Sequence, residues 1–97
     1  MKIYDKAKWQ IENGVDEKNT ISHFSFMFDW LKRNSLLSEY GMEITELGAF
    51  DDSSLTNEMV TKEGEVFLDQ YYDSYIGRID YGVKEDVDYL DRMLGNK

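Results

Sequence analysis

Residues 20–33 constrain this chain more than any other stretch. Read as a helix, with about 100° between neighbours, Ser22, Ser25, Asp29, Lys32 and Arg33 fall on one stripe about 100° wide. Ile21, His23, Phe24, Phe26, Met27, Phe28, Trp30 and Leu31 fill the rest of the circumference. A helix apolar over so wide a sector is stable only when neighbours cover it on most sides. The stretch therefore predicts a central helix and requires the rest of the chain to supply the cover. Asn19 or Thr20 is placed to cap it, because a short polar side chain there accepts a hydrogen bond from an early backbone N–H. Asn34-Ser35 reads as a frayed end, with Leu36 and Leu37 packing beyond it.

The cover has to come from a chain of 97 residues, which is the size of one domain spanning 1–97. A chain of this length buries enough surface for a single core. Residues 61–75 predict a second long helix, capped by Thr61, with Val60, Phe67, Leu68, Tyr71, Tyr72 and Tyr75 on one side. Gly64 falls on that apolar side, where the missing side chain lets a neighbour approach closely. Residues 83–94 predict a third helix. Val83, Val87, Leu90 and Leu94 recur at helical spacing, Lys84, Glu85, Asp86, Asp88 and Asp91 face outward, and Gly95 stands near the position that ends helices.

The remaining segments are less periodic. Residues 42–50 read as a short helix, with a strand over 42–47 as the alternative. Asn13-Gly14 reads as a turn and residues 51–58 as a loop. Residues 1–18 carry no dominant period and are expected to be extended or irregular, pinned to the body by Tyr4 and a largely buried Trp9. The fold class that follows is mainly α: a single small helical domain with an irregular or short-strand N-terminal segment. A small α+β domain, with residues 1–11 and 42–47 supplying strands, is the alternative.

Charge narrows the partners. The net charge is −9, and it is unevenly spread. Between Glu39 and Asp91 stand fifteen acidic side chains and three basic ones, against five acidic and six basic in the first 38 residues. Such a field repels phosphate backbones and anionic lipid, so no direct nucleic-acid or membrane binding is expected. Aromatic residues make up 14% of the chain, which argues against the disorder common in acidic, aromatic-poor sequences. The absence of cysteine removes disulfides and thiolate zinc sites and fits a reducing, cytoplasmic setting. The first residues hold no apolar run of signal-peptide length, and no stretch nears the ~18 apolar residues of a membrane span.

No motif names a reaction, so candidate sites rest on single residues. His23 is the sole histidine and cannot by itself build a multi-histidine metal site. It is expected as a packed core group with one hydrogen bond; a catalytic use requires it to be reachable by solvent. The run Asp51-Asp52-Ser53-Ser54 lacks the glycine and the alternating acids of a calcium loop, so no metal or cofactor is expected there. Glu65, Asp69 and Asp73 stand at i, i+4 and i+8 on the polar side of helix 61–75. Like charges at this spacing repel by a few tenths of a kcal/mol per pair. No lysines alternate with these acids to offset them in sequence, whereas a basic partner would. Tyr71 and Tyr75 are assigned to the core. Tyr72 and Tyr89 lie nearer the edges of their faces and are expected to reach solvent, which makes Tyr72 a candidate interface anchor beside the three acids.

Three stretches together carry a resemblance. Tyr4-Asp5-Lys6-Ala7-Lys8-Trp9 resembles an opening of type Tyr-Asp-x-Ala-x-Trp. His23 through Leu31, followed by Leu36-Leu37-Ser38-Glu39, resembles a helix of type His-Ile-Gly-x-Phe-x-x-Trp ending in Leu-x-Ser-x-Glu. Leu55 through Tyr72, with Thr61-Lys62-Glu63-Gly64, Phe67 and Tyr71-Tyr72, resembles a segment of type Leu-Asn-Glu-Glu-Gly-x-x-Phe-x-x-x-Tyr-Tyr. Together these resemble a family of small, acidic, uncharacterised bacterial proteins. Gln10 stands where that pattern has a histidine, Ser25 replaces a glycine and Thr61 replaces an asparagine cap. Small acidic bacterial proteins of this kind often accompany toxins as immunity proteins.

The leading expectation is an acidic cytoplasmic protein-binding domain that docks a basic protein, in the specific form of an immunity protein neutralising a basic toxin. The alternatives are a small enzyme or ligand-binding module using His23, a nucleic-acid mimic that competes for a DNA-binding protein, and a homo-oligomeric structural protein.

Overall fold

The computed structural model describes residues 2–47, 54–80 and 83–95. The Asp51–Ser53 part of the acidic run therefore lies outside the described residues. The chain is mainly helical, with a two-stranded antiparallel sheet. In chain order the elements are β1 (Ile3–Lys6), α1 (Ala7–Glu12), α2 (Glu17–Arg33), α3 (Glu39–Leu47), β2 (Ser54–Thr56), a 3₁₀ turn (Asn57–Met59), α4 (Lys62–Ile76) and α5 (Val87–Gly95).

The expected central helix is α2. His23, Phe24, Met27, Phe28, Trp30 and Leu31 are buried, whereas Ser22, Ser25, Asp29, Lys32 and Arg33 are not part of the buried set. It starts one turn earlier than its apolar pattern. Asp16, not Asn19 or Thr20, caps it by accepting the Lys18 N–H at 2.8 Å, and Thr20 turns inward to donate to the Asp16 carbonyl. The polar residues 17–19 carry no period, so the cap alone sets the boundary.

The C-terminus of α2 is closed rather than frayed. Ser35 adopts a left-handed conformation (φ 59°). Its N–H donates to Lys32 O at 3.1 Å while Leu36 N–H reaches back to Leu31 O at 2.9 Å. This is the paired pattern of a Schellman cap, and both Leu31 and Leu36 are buried. A non-glycine residue in this conformation costs about 1 kcal/mol, part of which glycine loses again to its freer unfolded chain. Ser35→Gly is therefore expected to raise stability by about 0.5 kcal/mol, read from the urea midpoint at unchanged slope.

The N-terminal segment takes the short-strand form of the expectation and adds a helix to it. Residues 3–6 form a strand and residues 7–12 a short helix, while 42–47, the other expected strand of the alternative fold, is helical. The pairing partner of β1 is instead β2, inside the expected loop: Ile3 pairs with Thr56, Asp5 with Leu55 and Lys6 with Ser54. The register shifts between Ile3 and Asp5, an irregularity in the ladder, and Asp5 is buried there. Trp9 remains 43% exposed, with Lys6 Nζ 5.6 Å from its ring centre, so Ala7 and Tyr4 fasten this segment instead. The Asn13-Gly14 turn forms as expected, with Gly14 at φ 92°.

Residues 36–38 run antiparallel to 58–61. Leu37 and Val60 form a bridge, Thr61 N–H donates to Leu36 O and Ser38 N–H to Met59 O. Ser38 also starts α3, accepting the Gly41 N–H on its hydroxyl at 3.2 Å. The helix thus begins at Glu39, three residues before the expected start. Thr61 caps α4 as expected by accepting the Gly64 N–H. A side chain on Gly64 would sit 2.9 Å from Leu36 O, which confirms the close approach. Trp30 fills the centre, packed on Phe67 at 5.2 Å between ring centres, and its indole N–H is satisfied by Asp91 at 2.9 Å.

Candidate functional site

The most connected polar feature lies inside the protein. His23 has no exposed surface, and both ring nitrogens are bonded, not the single one expected. Nε2 lies 2.9 Å from the Tyr72 hydroxyl, which donates to Asp5 Oδ2 at 2.7 Å. Nδ1 lies 2.9 Å from Glu85 Oε2 and 3.1 Å from Oε1. The chain continues outward at both ends. Asp5 Oδ1 accepts the Lys6 N–H at 2.8 Å and the Gln10 amide at 2.9 Å. Glu85 Oε1 accepts the Tyr75 hydroxyl at 2.7 Å, and that hydroxyl accepts the Asp86 N–H at 3.0 Å.

Each member is delivered by a local cause. Asp5 is buried at the register shift of β1, the apolar sector of α2 carries His23, and one face of α4 holds both Tyr72 and Tyr75. Glu85 arrives because α5 starts at Val87, four residues later than expected. The extra residues form an irregular approach that lets Glu85 reach the core while Val83, expected inside, lies exposed. Tyr72 is 1% exposed and Tyr89 is buried, which corrects the expectation that both reach solvent. Tyr75 is in the core as expected and Tyr71 is half-buried. Tyr89 stacks on Tyr75 at 6.1 Å and lies under the Arg78 guanidinium at 4.3 Å.

Burial pushes the Tyr75 hydroxyl well above the usual tyrosine range, and its hydrogen bond to Glu85 pushes it further. Tyr4 is raised by burial and by its bond to Asp69. In the unfolded chain both ionise near pH ~10. A raised folded value means that the unfolded state releases these protons first. The stabilisation is complete below about pH 10 and is lost as pH rises beyond it. Urea stability is expected to fall steeply above pH ~10, and Tyr75→Phe is expected to shallow that slope; a slope unchanged by the substitution contradicts this assignment.

The expected acidic ridge is only partly free. Asp69 pairs with Lys2 Nζ at 2.7 Å and accepts the Tyr4 hydroxyl at 3.0 Å. The Lys2 bond, then the Tyr4 bond, holds its carboxyl below the usual carboxylate range. The offset that the local sequence lacks comes from 67 residues away. Glu65 is half-buried and Asp73 is exposed. Tyr72, buried between Asp5 and His23, presents no anchor beside them.

A different acidic surface stands on α3. Glu39, Glu43 and Glu46 share its outward centre, flanked by exposed Tyr40 and Leu47 on one side and Met42 on the other. Among the described residues none of these three carboxylates is in an ion pair. No basic residue lies in the last turn to balance Glu46 against the helix dipole.

An open depression of about 610 Å³ lies along residues 77–80 and 84–86, with Arg78, Lys84 and Glu85 on its wall. It reaches Glu85, whose side chain is 14% exposed, but not His23. The described residues contain no group of three acidic or histidine side chains able to hold a metal ion, and no helix long and apolar enough to cross a membrane. Comparison with protein-family models, with curated proteins and with solved structures returned no match.

Sequence reasoning identified His23 and missed its two carboxylates. Asp5 stands in a segment with no period, and Glu85 was assigned outward by counting Val83 as the first inward residue of a helix. The signal available for Glu85 was the surplus of acids at 85, 86 and 88, one of which needed a partner.

Proposed function

We propose that this chain is an acidic protein-binding domain whose partner is a basic protein, in the specific form of an immunity protein that neutralises a basic toxin. The observation that carries the reading is the outward face of α3. Three carboxylates that form no ion pair among the described residues are held there on one helix between exposed Tyr40, Met42 and Leu47. Like charges at i, i+4 cost helix stability, and a basic surface offsets that cost on contact. The flanking aromatic and apolar side chains supply the kind of anchor that holds an interface once charge has steered it together. The net charge of −9 extends the attraction over the surface. The resemblance to small acidic bacterial proteins supports the immunity form. A catalytic use of His23 loses its main support, because the ring is sealed from solvent.

The test is capture of partners from the lysate of the protein's own cells at low and at high salt, using wild type and a Glu39→Lys/Glu43→Lys/Glu46→Lys variant in parallel. The expected result is one stoichiometric basic protein, retained by wild type at low salt, released at high salt and not retained by the variant. A partner retained equally by the variant sinks the α3 reading.

A further inference from the structure

We infer that Glu39, Tyr40, Glu43 and Leu47 form a seat for one arginine side chain of the basic partner. The inference rests on the partner-binding reading and names the chemistry that the α3 face grips. The fold already uses the same arrangement at two places. The Arg78 guanidinium lies 4.3 Å from the centre of the Tyr89 ring, and its Nε lies 3.5 Å from Asp86 Oδ2. The Lys2 ammonium lies 5.4 Å from the centre of the Tyr4 ring and 2.7 Å from Asp69 Oδ1. In each case one cation meets a carboxylate and a tyrosine ring together. The ring attracts the charge through its quadrupole, and the carboxylate adds a charge-assisted hydrogen bond.

α3 carries the same parts on its outward face. Asp86 and Tyr89 stand three residues apart, and Tyr40 and Glu43 stand three residues apart in the opposite order. Residues three or four apart are neighbours on a helix surface, so Glu43 adjoins Tyr40 and Glu39 on one side and Leu47 on the other. Helical side chains lean towards the N-terminus, which brings Glu43 over the turn that carries Glu39 and Tyr40. Tyr40 is 47% exposed and Leu47 75%, so both can be reached from outside. Among the described residues, no ion pair or ring–cation contact involves any of these four.

This set of groups prefers arginine to lysine. A guanidinium is planar and presents its N–H donors in a fixed fork, so it can lie on the Tyr40 ring while donating to the carboxylates of Glu39 and Glu43 beside it. An ammonium is a compact, strongly hydrated charge that gains less from the ring. The aliphatic stem of the arginine packs along Leu47 while the charged head stays at the acids. Since the ring is exposed, the preference is modest, about two- to five-fold in affinity.

Nuclear magnetic resonance titration of the intact protein at low ionic strength tests this, with acetylated tri-arginine amide and acetylated tri-lysine amide as probes. The two peptides carry equal charge, so attraction to the acidic surface as a whole cancels in the comparison. The readout is the amide signals of residues 39–47. Tri-arginine is expected to saturate them at about two- to five-fold lower concentration than tri-lysine. Tyr40→Ala is expected to abolish that difference, and Tyr40→Phe, which keeps the ring and loses only the hydroxyl, is expected to retain it. Equal saturation by the two peptides in wild type overturns the arginine seat, as does an arginine preference that survives Tyr40→Ala, or the absence of any response in residues 39–47. The wild-type comparison is decisive without a variant. Failure of the docking face itself is read separately, from capture by the Glu39→Lys/Glu43→Lys/Glu46→Lys protein, so the seat can fail while that face stands.

Discussion

Replacing His23 with phenylalanine is expected to destabilise the protein by about 3–5 kcal/mol, a large part of the ~5–15 kcal/mol that holds a domain of this size. Phenylalanine fits the volume but bonds neither side. Glu85 is left against an apolar ring, and the Tyr72 hydroxyl is left with Asp5 alone of its two partners in the buried chain. The cost of removing one member of a buried polar pair comes mostly from the desolvated groups it leaves short of a partner, rather than from the bond itself. Thermal unfolding is expected to shift down by more than about 12 °C at roughly 4 °C or more per kcal/mol. A loss under ~1 kcal/mol would show that Glu85 rehydrates freely, and would reduce the internal chain to decoration.

Gly41→Ala is expected to cost about 2–3 kcal/mol. Alanine normally gains up to ~1 kcal/mol over glycine inside a helix, so the direction alone is informative. At Gly41 the added Cβ collides with the carbonyl oxygen of Met59 and comes within 2.9 Å of Leu37 Cδ2. The carbonyl is fixed, because it accepts the Ser38 N–H in the bridge between residues 36–38 and 58–61. The helix must therefore move away from that bridge, taking with it the outward face of Glu39, Glu43 and Glu46. Gly64→Ala is the comparison: its nearest atoms are at 2.9 Å, and the smaller overlap leaves an expected loss of about 1 kcal/mol. Denaturation midpoints of the two variants check the order, and a Gly41→Ala protein as stable as wild type contradicts the packing of α3.

Much of the fold was legible because two helices carry their own boundary conditions. The apolar sector of residues 21–31 can only be a covered helix, and Thr61 three residues before Gly64 marks the start of α4. The boundaries that failed were those set by tertiary partners. Asp16 extends α2 over residues with no period, and Ser38 starts α3 while bonding a distant strand-like segment. β1 and β2 are too short to show alternation, and each is a strand only because the other is beside it.

The candidate site was less legible for the same reason. Periodicity assigns a polar residue on an apolar face to the core, but it does not say which acid from another element will meet it. Lys2, 67 residues from Asp69, and Glu85, 62 residues from His23, reverse two sequence expectations through bonds that no local window contains. The three stretches that carry the resemblance supply Asp5, His23 and Tyr72. In the structure these three side chains, far apart in sequence, meet in one buried chain of hydrogen bonds.

The docking surface is tested most directly by comparing association rates of the captured basic partner with two variants whose stabilities are matched to wild type. One carries Glu39→Lys/Glu43→Lys/Glu46→Lys on α3, and the other carries Asp69→Lys on α4. The expected result is at least a ~10-fold slower association and a flattened salt dependence for the α3 variant. Little change is expected for Asp69→Lys, whose carboxylate is already occupied by Lys2. Equal slowing by both variants, or slowing by Asp69→Lys alone, would contradict the assignment of the partner to α3.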